Sequence, residues 1–421
     1  MARLPRALDP LRERNFRAFF FGQAISLLGT GMVGVALSFA VLDLTGSVSD
    51  LGFVFAARTT PLVVFLLVGG VFADRLPRRA VMLGSDLVQC LAQGLLAALL
   101  LSGVARLWEL LLLQAIAGTA TAFFTPAVTG LTTEIVDAER LQEANALRSL
   151  SSSLGNIAGP AISGVLVATV GAGWALAGDA ASFAASAACL AGLRLPPHER
   201  LPAQSVLADL LDGWREFSSR TWLLVANVHA ALVNMLVLAP FFVLGAAVAK
   251  RSLGGAGAWS LIVSAFGVGL VTGGLVALRF RPRRPMLVGL PGACLWAAPL
   301  ALLAERAPAV AIAPFALLAG AHLAFLNTVW ETTLQEQIPP ALLSRVTSYD
   351  WVTALVFQPV GYAVAGLVAG HLLGVRGTLW LGAAAALVTS VAIVGFRSVR
   401  TLEARPRRRE PPVAVPASDA S

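Results

Sequence analysis

Charge is scarce in this chain. Asp, Glu, Lys and Arg make up 13% of it, about half the share usual in a soluble globular domain, while 57% of the residues are hydrophobic. A water-soluble fold could not bury that much apolar surface, so soluble enzymes and soluble binding modules are excluded. Lysine is almost absent: Lys250 is the only one, and the other basic residues are all arginine. No G-x-x-x-x-G-K-[ST] loop occurs, which argues against ATP-driven work by this chain. Histidine is equally sparse. His198, His229, His322 and His371 are scattered, and no H-E-x-x-H is present, so nothing points to a membrane-embedded metalloenzyme. Cys90, Cys189 and Cys294 stand far apart in apolar runs and offer neither a disulfide framework nor zinc-ligand spacing. No cofactor or metal is expected. A receptor would need a signalling domain, for which the polar tail is too short.

What is present is a succession of apolar runs. They are placed at 17–42, 51–73, 80–102, 107–130, 146–170 and 173–193, then at 221–247, 256–279, 286–304, 308–331, 348–371 and 377–396. Each is near the ~20 residues that cross a bilayer as a helix. The first is too long for the apolar core of a cleavable signal, so none is expected. Twelve spans put both termini on one side. With that side inside, the inner segments hold 25 basic residues and the outer ones 5, which predicts cytoplasmic termini. The net charge of +8 is thereby spread over alternate loops as topology requires, and a nucleic-acid partner is not expected.

The longest internal polar stretch, 194–220, repeats Val206, Leu207, Leu210, Leu211, Trp214 and Phe217 at helical spacing between charges. This predicts an amphipathic linker helix at the membrane surface. It divides the chain into an N-terminal bundle at 1–193 and a C-terminal bundle at 221–397, with a basic, disordered tail at 398–421. The two halves repeat. A shift of 202 residues carries Phe123, Glu134, Gly159 and Gly164 onto Phe325, Glu336, Gly361 and Gly366. A shift of 204 carries Gly70, Ala73, Arg75 and Arg79 onto Gly274, Ala277, Arg279 and Arg283. Weak internal identity over six-span halves is the mark of a duplicated transporter.

The stretch Gly69 to Arg79, GGVFADRLPRR, resembles the loop 2–3 signature of the major facilitator superfamily, G-x-L-a-D-r-x-G-r-[KR]. Gly70, Asp74, Arg75, Arg78 and Arg79 fall on its positions, and Pro77 replaces a glycine. The resemblance implies an all-α integral membrane fold of twelve transmembrane helices in two pseudo-symmetric six-helix bundles. The run FFTPAVTGLTTEIVDAERLQEANAL from Phe123 is similar to the drug:proton antiporter branch that includes macrolide-efflux and enterobactin-exporter proteins. Gly155, Gly159, Pro160 and Gly164 match the antiporter motif of the fifth helix, with Ser163 in place of one glycine. Small residues four apart let helices touch closely. In the fourth span Gln114 stands where many antiporters carry an arginine, four residues before Gly118. The resemblance also implies that Asp74 faces the start of the eleventh helix, near Arg345–Asp350; the inner-gate pairs expected there are Asp74 with Arg345, and Asp350 with Arg75, Arg78 or Arg79. Arg148 is the counterpart of Asp350 in the repeat.

Charged side chains within the spans are costly and mark function or structural pairing. Arg58, about seven residues into the second span, is a candidate to bind an anionic group, hold a carboxylate deprotonated or close the outer gate. Asp86 and Asp179 lie at similar depths in the third and sixth spans, Asp86 within reach of the loop arginines. Glu331 is a candidate proton carrier or inner gate in the tenth. Asn227, His229 and Asn234 in the seventh, with His322 and Asn327 in the tenth, offer neutral polar hooks or buried packing. The expectation is a monomeric transporter in the inner membrane of a bacterial cell. Its expected task is proton-coupled efflux of lipophilic small molecules such as antibiotics. The alternatives are export of a specific metabolite or siderophore, or movement of lipid.

Overall fold

The computed structural model describes residues 6–137, 140–193 and 214–404; of 6–8, 67–75, 340, 341, 343–345, 348 and 351 it describes the backbone alone. Among the described residues twelve helices are long and apolar enough to span a membrane. In hydrocarbon every backbone donor and acceptor must be satisfied within its own segment, so each apolar run closes into a helix. In order these are α1 (Arg14–Thr45), α2 (Val48–Arg75), α3 (Arg78–Leu101), α4 (Leu107–Ile135), α5 (Leu141–Thr169) and α6 (Ala172–Ala191). The second half holds α7 (Thr221–Leu253), α8 (Ala256–Arg279), α9 (Pro285–Ala304) and α10 (Ala309–Gln337), then α11 in two pieces (Pro340–Leu355 and Gln358–His371), and α12 (Gly374–Gly395).

Several boundaries differ from the hydropathy reading. The second helix begins at Val48 because the Ser47 hydroxyl accepts the Asp50 backbone N–H at 3.2 Å, an N-cap that a window average does not register. Arg58 is therefore ten residues into α2, about 15 Å from its start, and lies deeper than expected. Three helices of the second half are irregular. In α7 the π-turns Asn234–Leu238 and Ala249–Leu253 widen the coil. In α9 a 3-10 stretch covers Leu290–Trp296. Pro359, which has no N–H to offer Leu355, follows the break in α11.

Within the first half α1 packs on α5 and α6, α2 on α4, and α3 on α4 and α6; in the second, α8 packs on α10 and α9 on α12. The halves meet where α2 lies along the second piece of α11 and where α5 lies along α8. At the end that carries the turns 45–48 and 253–256, one hydrophobic core runs through both halves, from Val35 to Leu42, Leu51 and Val54 to Phe241, Trp259 and Trp296. Toward the chain termini the described core residues fall into separate clusters, Phe16, Met82 and Leu131 in the first half and Trp222, Leu334 and Val346 in the second. The halves are thus joined at one end and packed independently at the other.

Of the expected linker helix, 194–213 lies outside the described residues. Residues 214–219 are helical, and the Trp214 and Phe217 rings lie 5.6 and 6.2 Å from that of Tyr349. The start of the tail is ordered: the Ala404 N–H donates to the Arg283 carbonyl at 3.0 Å. Residues 405–421 lie outside the described set.

Candidate functional site

A cavity of about 420 Å³ lies within the second half, lined by α7, α9, α10 and α11. Its walls are apolar at Leu238, Leu290, Trp296, Leu323 and Leu326, and its polar groups are Asn227, His229, Asn234, His322, Asn327, Trp330, Glu331, Gln335, Thr347 and Asp350. The irregularities of the helices bring these groups together. Asn234, in the first π-turn, donates from Nδ2 to the Ala354 carbonyl at 3.0 Å, next to the break in α11 where carbonyls lack helical donors. His322 on α10 lies where a side chain at position 292 would be, since a Cβ on Gly292 would come within 2.2 Å of its ring. The ring Nε2 is 2.9 Å from the carbonyl of Gly289 in α9.

Asp350 is the hub of the cavity. It is buried at 7% exposure. Asn227 Nδ2 donates to Oδ1 and Trp330 Nε1 to Oδ2, both at 2.8 Å. The Thr353 hydroxyl donates to Asn227 Oδ1 at 2.8 Å, so four side chains from α7, α10 and α11 form one network. Glu331 is exposed toward the cavity and close enough to Asp350 to feel its charge. His229 and His322 are buried, and each keeps one ring nitrogen, Nε2 and Nδ1, without a hydrogen-bond partner among the described residues. The cavity can therefore receive a ligand with apolar bulk and several polar groups.

Of the expected inner gate, the described side chains show these partners. Asp350 joins the cavity network through the donors Asn227 and Trp330 of its own half. Arg78 donates to the Gly130 carbonyl at 2.8 Å and pairs with Glu134 at 3.1 Å; Arg79 donates to the Leu190 and Ala191 carbonyls. Both tie the start of α3 to neighbours in the first half, and neither is engaged with Asp86. Arg148 donates to Gln23 Oε1 at 3.2 Å and Asn145 Oδ1 at 3.4 Å. The side chains of Asp74, Arg75 and Arg345, like Gly70, lie outside the described residues beyond their helical backbone.

In the first half, Arg58 and Gln114 meet. A Cβ on Gly118 would come within 1.9 Å of the Arg58 carbonyl, so the bare glycine lets α2 touch α4. One turn away, Arg58 Nη1 donates to Gln114 Oε1 at 2.9 Å. The cation missing from the fourth helix is supplied by the second. Gln114 Nε2 in turn donates to Gln93 Oε1 at 3.0 Å, and Gln93 Nε2 to Asp179 Oδ2 at 2.9 Å. Sequence reasoning missed Gln93 and Gln89, although Asp86, Gln89 and Gln93 share one face of α3 at helical spacing.

The glycines of α5 are crossings. A Cβ on Gly159 would meet the Gly31 backbone at 2.6 Å, and one on Gly155 the Leu27 carbonyl at 2.7 Å. Pro160 leaves the Asn156 carbonyl without its helical donor. There α8 closes in, with Gly267 so near that a Cβ would lie 2.4 Å from that oxygen. The Ser264 hydroxyl donates to the next carbonyl, Ile157, at 3.0 Å.

The family described as transmembrane secretion effector matches residues 6–419. The chain is 29% identical over 415 residues to the enterobactin exporter EntS of Citrobacter koseri, covering 94% of each. It is 27% identical over 421 residues to EntS of Shigella flexneri, covering 96% of this chain and 95% of that one. Among solved structures, the nucleoside transporter NupG superposes with a TM-score of 0.69 at 14% identity, over 90% of this chain and 98% of that one. A bacterial homologue of the iron transporter ferroportin in its inward-facing state superposes with 0.70 at 17%, over 91% and 98%. The chain belongs to the transmembrane secretion effector family of the major facilitator superfamily, and is a multi-pass membrane transporter.

Proposed function

We propose that this protein exports a specific small metabolite of the siderophore kind across the bacterial inner membrane, by rocking of its two halves about the cavity. The observation that carries the reading is the near-full-length likeness to enterobactin exporters. The cavity supports it: a tris-catechol ligand presents aromatic faces and many hydroxyl groups, and Trp296, Trp330, Asp350, Glu331 and the asparagines answer both. Arginine-rich termini and alternate loops support cytoplasmic chain ends. The end sealed by the shared core then faces outward, and the cavity side faces the cytoplasm, the loading state of an exporter. Inward proton flow drives the cycle, the protein acts as a monomer, and Asp74 with Arg345 closes the inner side in the opposite state.

A broader efflux of lipophilic antibiotics is the second reading, favoured by the apolar walls at Leu238, Leu290, Leu323 and Leu326. Everted membrane vesicles carrying the protein, energised to an acidic interior, separate the two. Enterobactin, a macrolide and a lipophilic dye are offered in turn and the internal content is measured by mass spectrometry. The expected result is ATP-independent accumulation of enterobactin that collapses with a protonophore. Accumulation of macrolide and dye without enterobactin would replace the first reading with the second. Accumulation of none would refute both.

A further inference from the structure

We propose that the first half holds a proton site, Asp179 with Asp86 on the adjoining helix, whose charge state is relayed to Arg58 through the side-chain amides of Gln93 and Gln114. Asp179 and Asp86 are both at 0% exposure. Four groups from α2, α4, α3 and α6 stand in one line, Arg58–Gln114–Gln93–Asp179, every link between 2.9 and 3.0 Å. Both amides are polarised the same way, oxygen toward the guanidinium and NH₂ toward the carboxylate. That order is set by the two charges at the ends. A pair kept only for stability would gain more from direct contact, since interposed groups weaken the attraction. The line lets a change at one end reverse or release the amides between.

The carboxyl groups are placed to change. Among the described residues Asp179 uses only Oδ2 and its Oδ1 has no hydrogen-bond partner; the one donor near Asp86 is the Ser186 hydroxyl, which makes no well-formed hydrogen bond to either oxygen. A buried carboxylate lacking donors carries a large desolvation cost, which a proton removes. The surroundings hold few other charges. From α1, Gly29 faces Asp179 Oδ1, a Cβ there coming within 2.9 Å; the charged groups of that helix lie at its ends, at Arg14, Arg17 and Asp43. From α3 come Gln93, Cys90 and Asp86, and from α6 itself Ser182 and Ser186. On α5, Glu143 and Arg148 lie in the first turns. Among the described residues Arg58 is the one cation that reaches Asp179.

A path is also present. Along α3, Asp86, Gln89 and Gln93 lie at i, i+3 and i+7, each nearly or fully buried, and the Thr121 hydroxyl of α4 donates to Gln89 Oε1 at 3.1 Å. By helical rise Asp86 and Gln93 lie about 12 and 22 Å from Arg78. The stripe thus runs from about one third to about two thirds of the way along α3. A proton added to Asp179 Oδ1 or Oδ2 leaves the neutral acid and strips Arg58 of its balancing anion. The half-buried guanidinium then turns to another anion or to water between the halves. The inference rests on the transport reading for its use in the cycle, whereas the proton site itself needs no substrate to be tested.

The test is infrared difference spectroscopy on the purified full chain in lipid nanodiscs, stepped in pH, following the C=O stretch of protonated carboxyl groups. The expected result is a titrating band that Asp179→Asn removes and Asp86→Asn alters. In Arg58→Gln, which takes away the cation, the band titrates at a pH at least about one unit higher, the effect of one fairly close charge. Gln93→Leu gives a like shift with every charge left in place, a readout that a packing role would not move. Asp179→Glu covers the case in which Asp179→Asn does not fold, by displacing the band's frequency. A spectrum in which no titrating band responds to Asp179 or Asp86 would overturn the proposal, as would a titration indifferent to both Arg58→Gln and Gln93→Leu.

Discussion

The Ser49 hydroxyl on α2 donates to the Gly366 carbonyl on α11, at 3.0 Å and 317 residues away in sequence. A Cβ on Gly366 would come within 2.9 Å of Ser49 Cα, so the two backbones touch. The repeat supplies a partner crossing: Gly164, the counterpart of Gly366, closes on Ser260 of α8, where a Cβ would lie 2.1 Å from the hydroxyl. Two glycine–serine contacts, a hydrogen-bonded one of α11 on α2 and a packing one of α5 on α8, where the Ser260 hydroxyl donates to Gly257 in its own helix, therefore lie at one end of the molecule. Lys250 with Asp43 at 2.6 Å, and Arg251 donating to the Gly46 carbonyl at 3.0 Å, span the halves at the same end.

Gly366→Leu is expected to force that end open. Overpacking costs ~1–3 kcal/mol, enough to shift a two-state ratio by roughly five- to a hundredfold. The check is labelling of a cysteine introduced at Asp50 by an impermeant maleimide added from outside intact cells. Protection in the parent and rapid labelling in the variant are expected, with transport lost. Equal labelling in both would mean that the contact does not control access.

Asp350→Ala is expected to dismantle the cavity. Two hydrogen bonds to a carboxylate, each worth about 1.5–3 kcal/mol, are lost, and Asn227 and Trp330 lose their common anchor. Enterobactin accumulation in everted vesicles should fall at least tenfold, and Trp330 emission should become accessible to acrylamide. Asp350→Asn keeps the acceptor oxygen for one of the two donors and should lie between. Parent-like transport by the alanine variant would remove Asp350 from the site.

Gly159→Leu is expected to abolish transport, because its side chain would enter the Gly31 backbone and separate α1 from α5. Gly159→Ala, which meets the same backbone with a single carbon, should retain part of the activity. Both variants are expected to insert into the membrane, since each makes the span more apolar. Uptake rates normalised to the amount of protein in the membrane decide the matter, and unchanged uptake by the leucine variant would show that this crossing can be relaxed without loss.

Position 159 also shows how far the sequence could be read. The twelve spans are legible because hydrocarbon admits few alternatives to an apolar helix. The glycines at 159, 164, 361 and 366 stand out because duplication repeats them, and all four prove to be crossings. Interactions between side chains of distant helices leave no such trace. Gln93 and Gln114 are neutral amides whose meaning depends on the partners that α2 and α6 bring to them. Asp350 was assigned to loop arginines by analogy, whereas Asn227 and Trp330, one charge-free and one aromatic, hold it inside its own half. The π-turns of α7 have no sequence signal beyond the polar Asn234 within an apolar run. The N-cap at Ser47 rests on a single hydrogen bond to the Asp50 N–H, which a hydropathy window does not register.

Away from the membrane interior, Glu305 in the α9–α10 turn accepts both Nη2 and Nε of Arg376, at 2.8–3.1 Å, and the Trp380 Nε1–H at 2.9 Å. These donors hold its carboxyl below the ordinary value of 4.5. A carboxyl depressed on folding contributes stability that is present above its unfolded pKa and is lost as the pH falls through the folded one. Glu305→Gln should therefore lower the melting temperature of the detergent-purified protein at neutral pH, by a small amount because the pair is exposed. The difference from the parent should shrink steadily once the pH drops under 4.5 and vanish in more acidic buffer. Raising the salt concentration at neutral pH should also narrow it. A difference that stays constant through the acidic range would mean that the glutamate acts there through its shape and not through its charge.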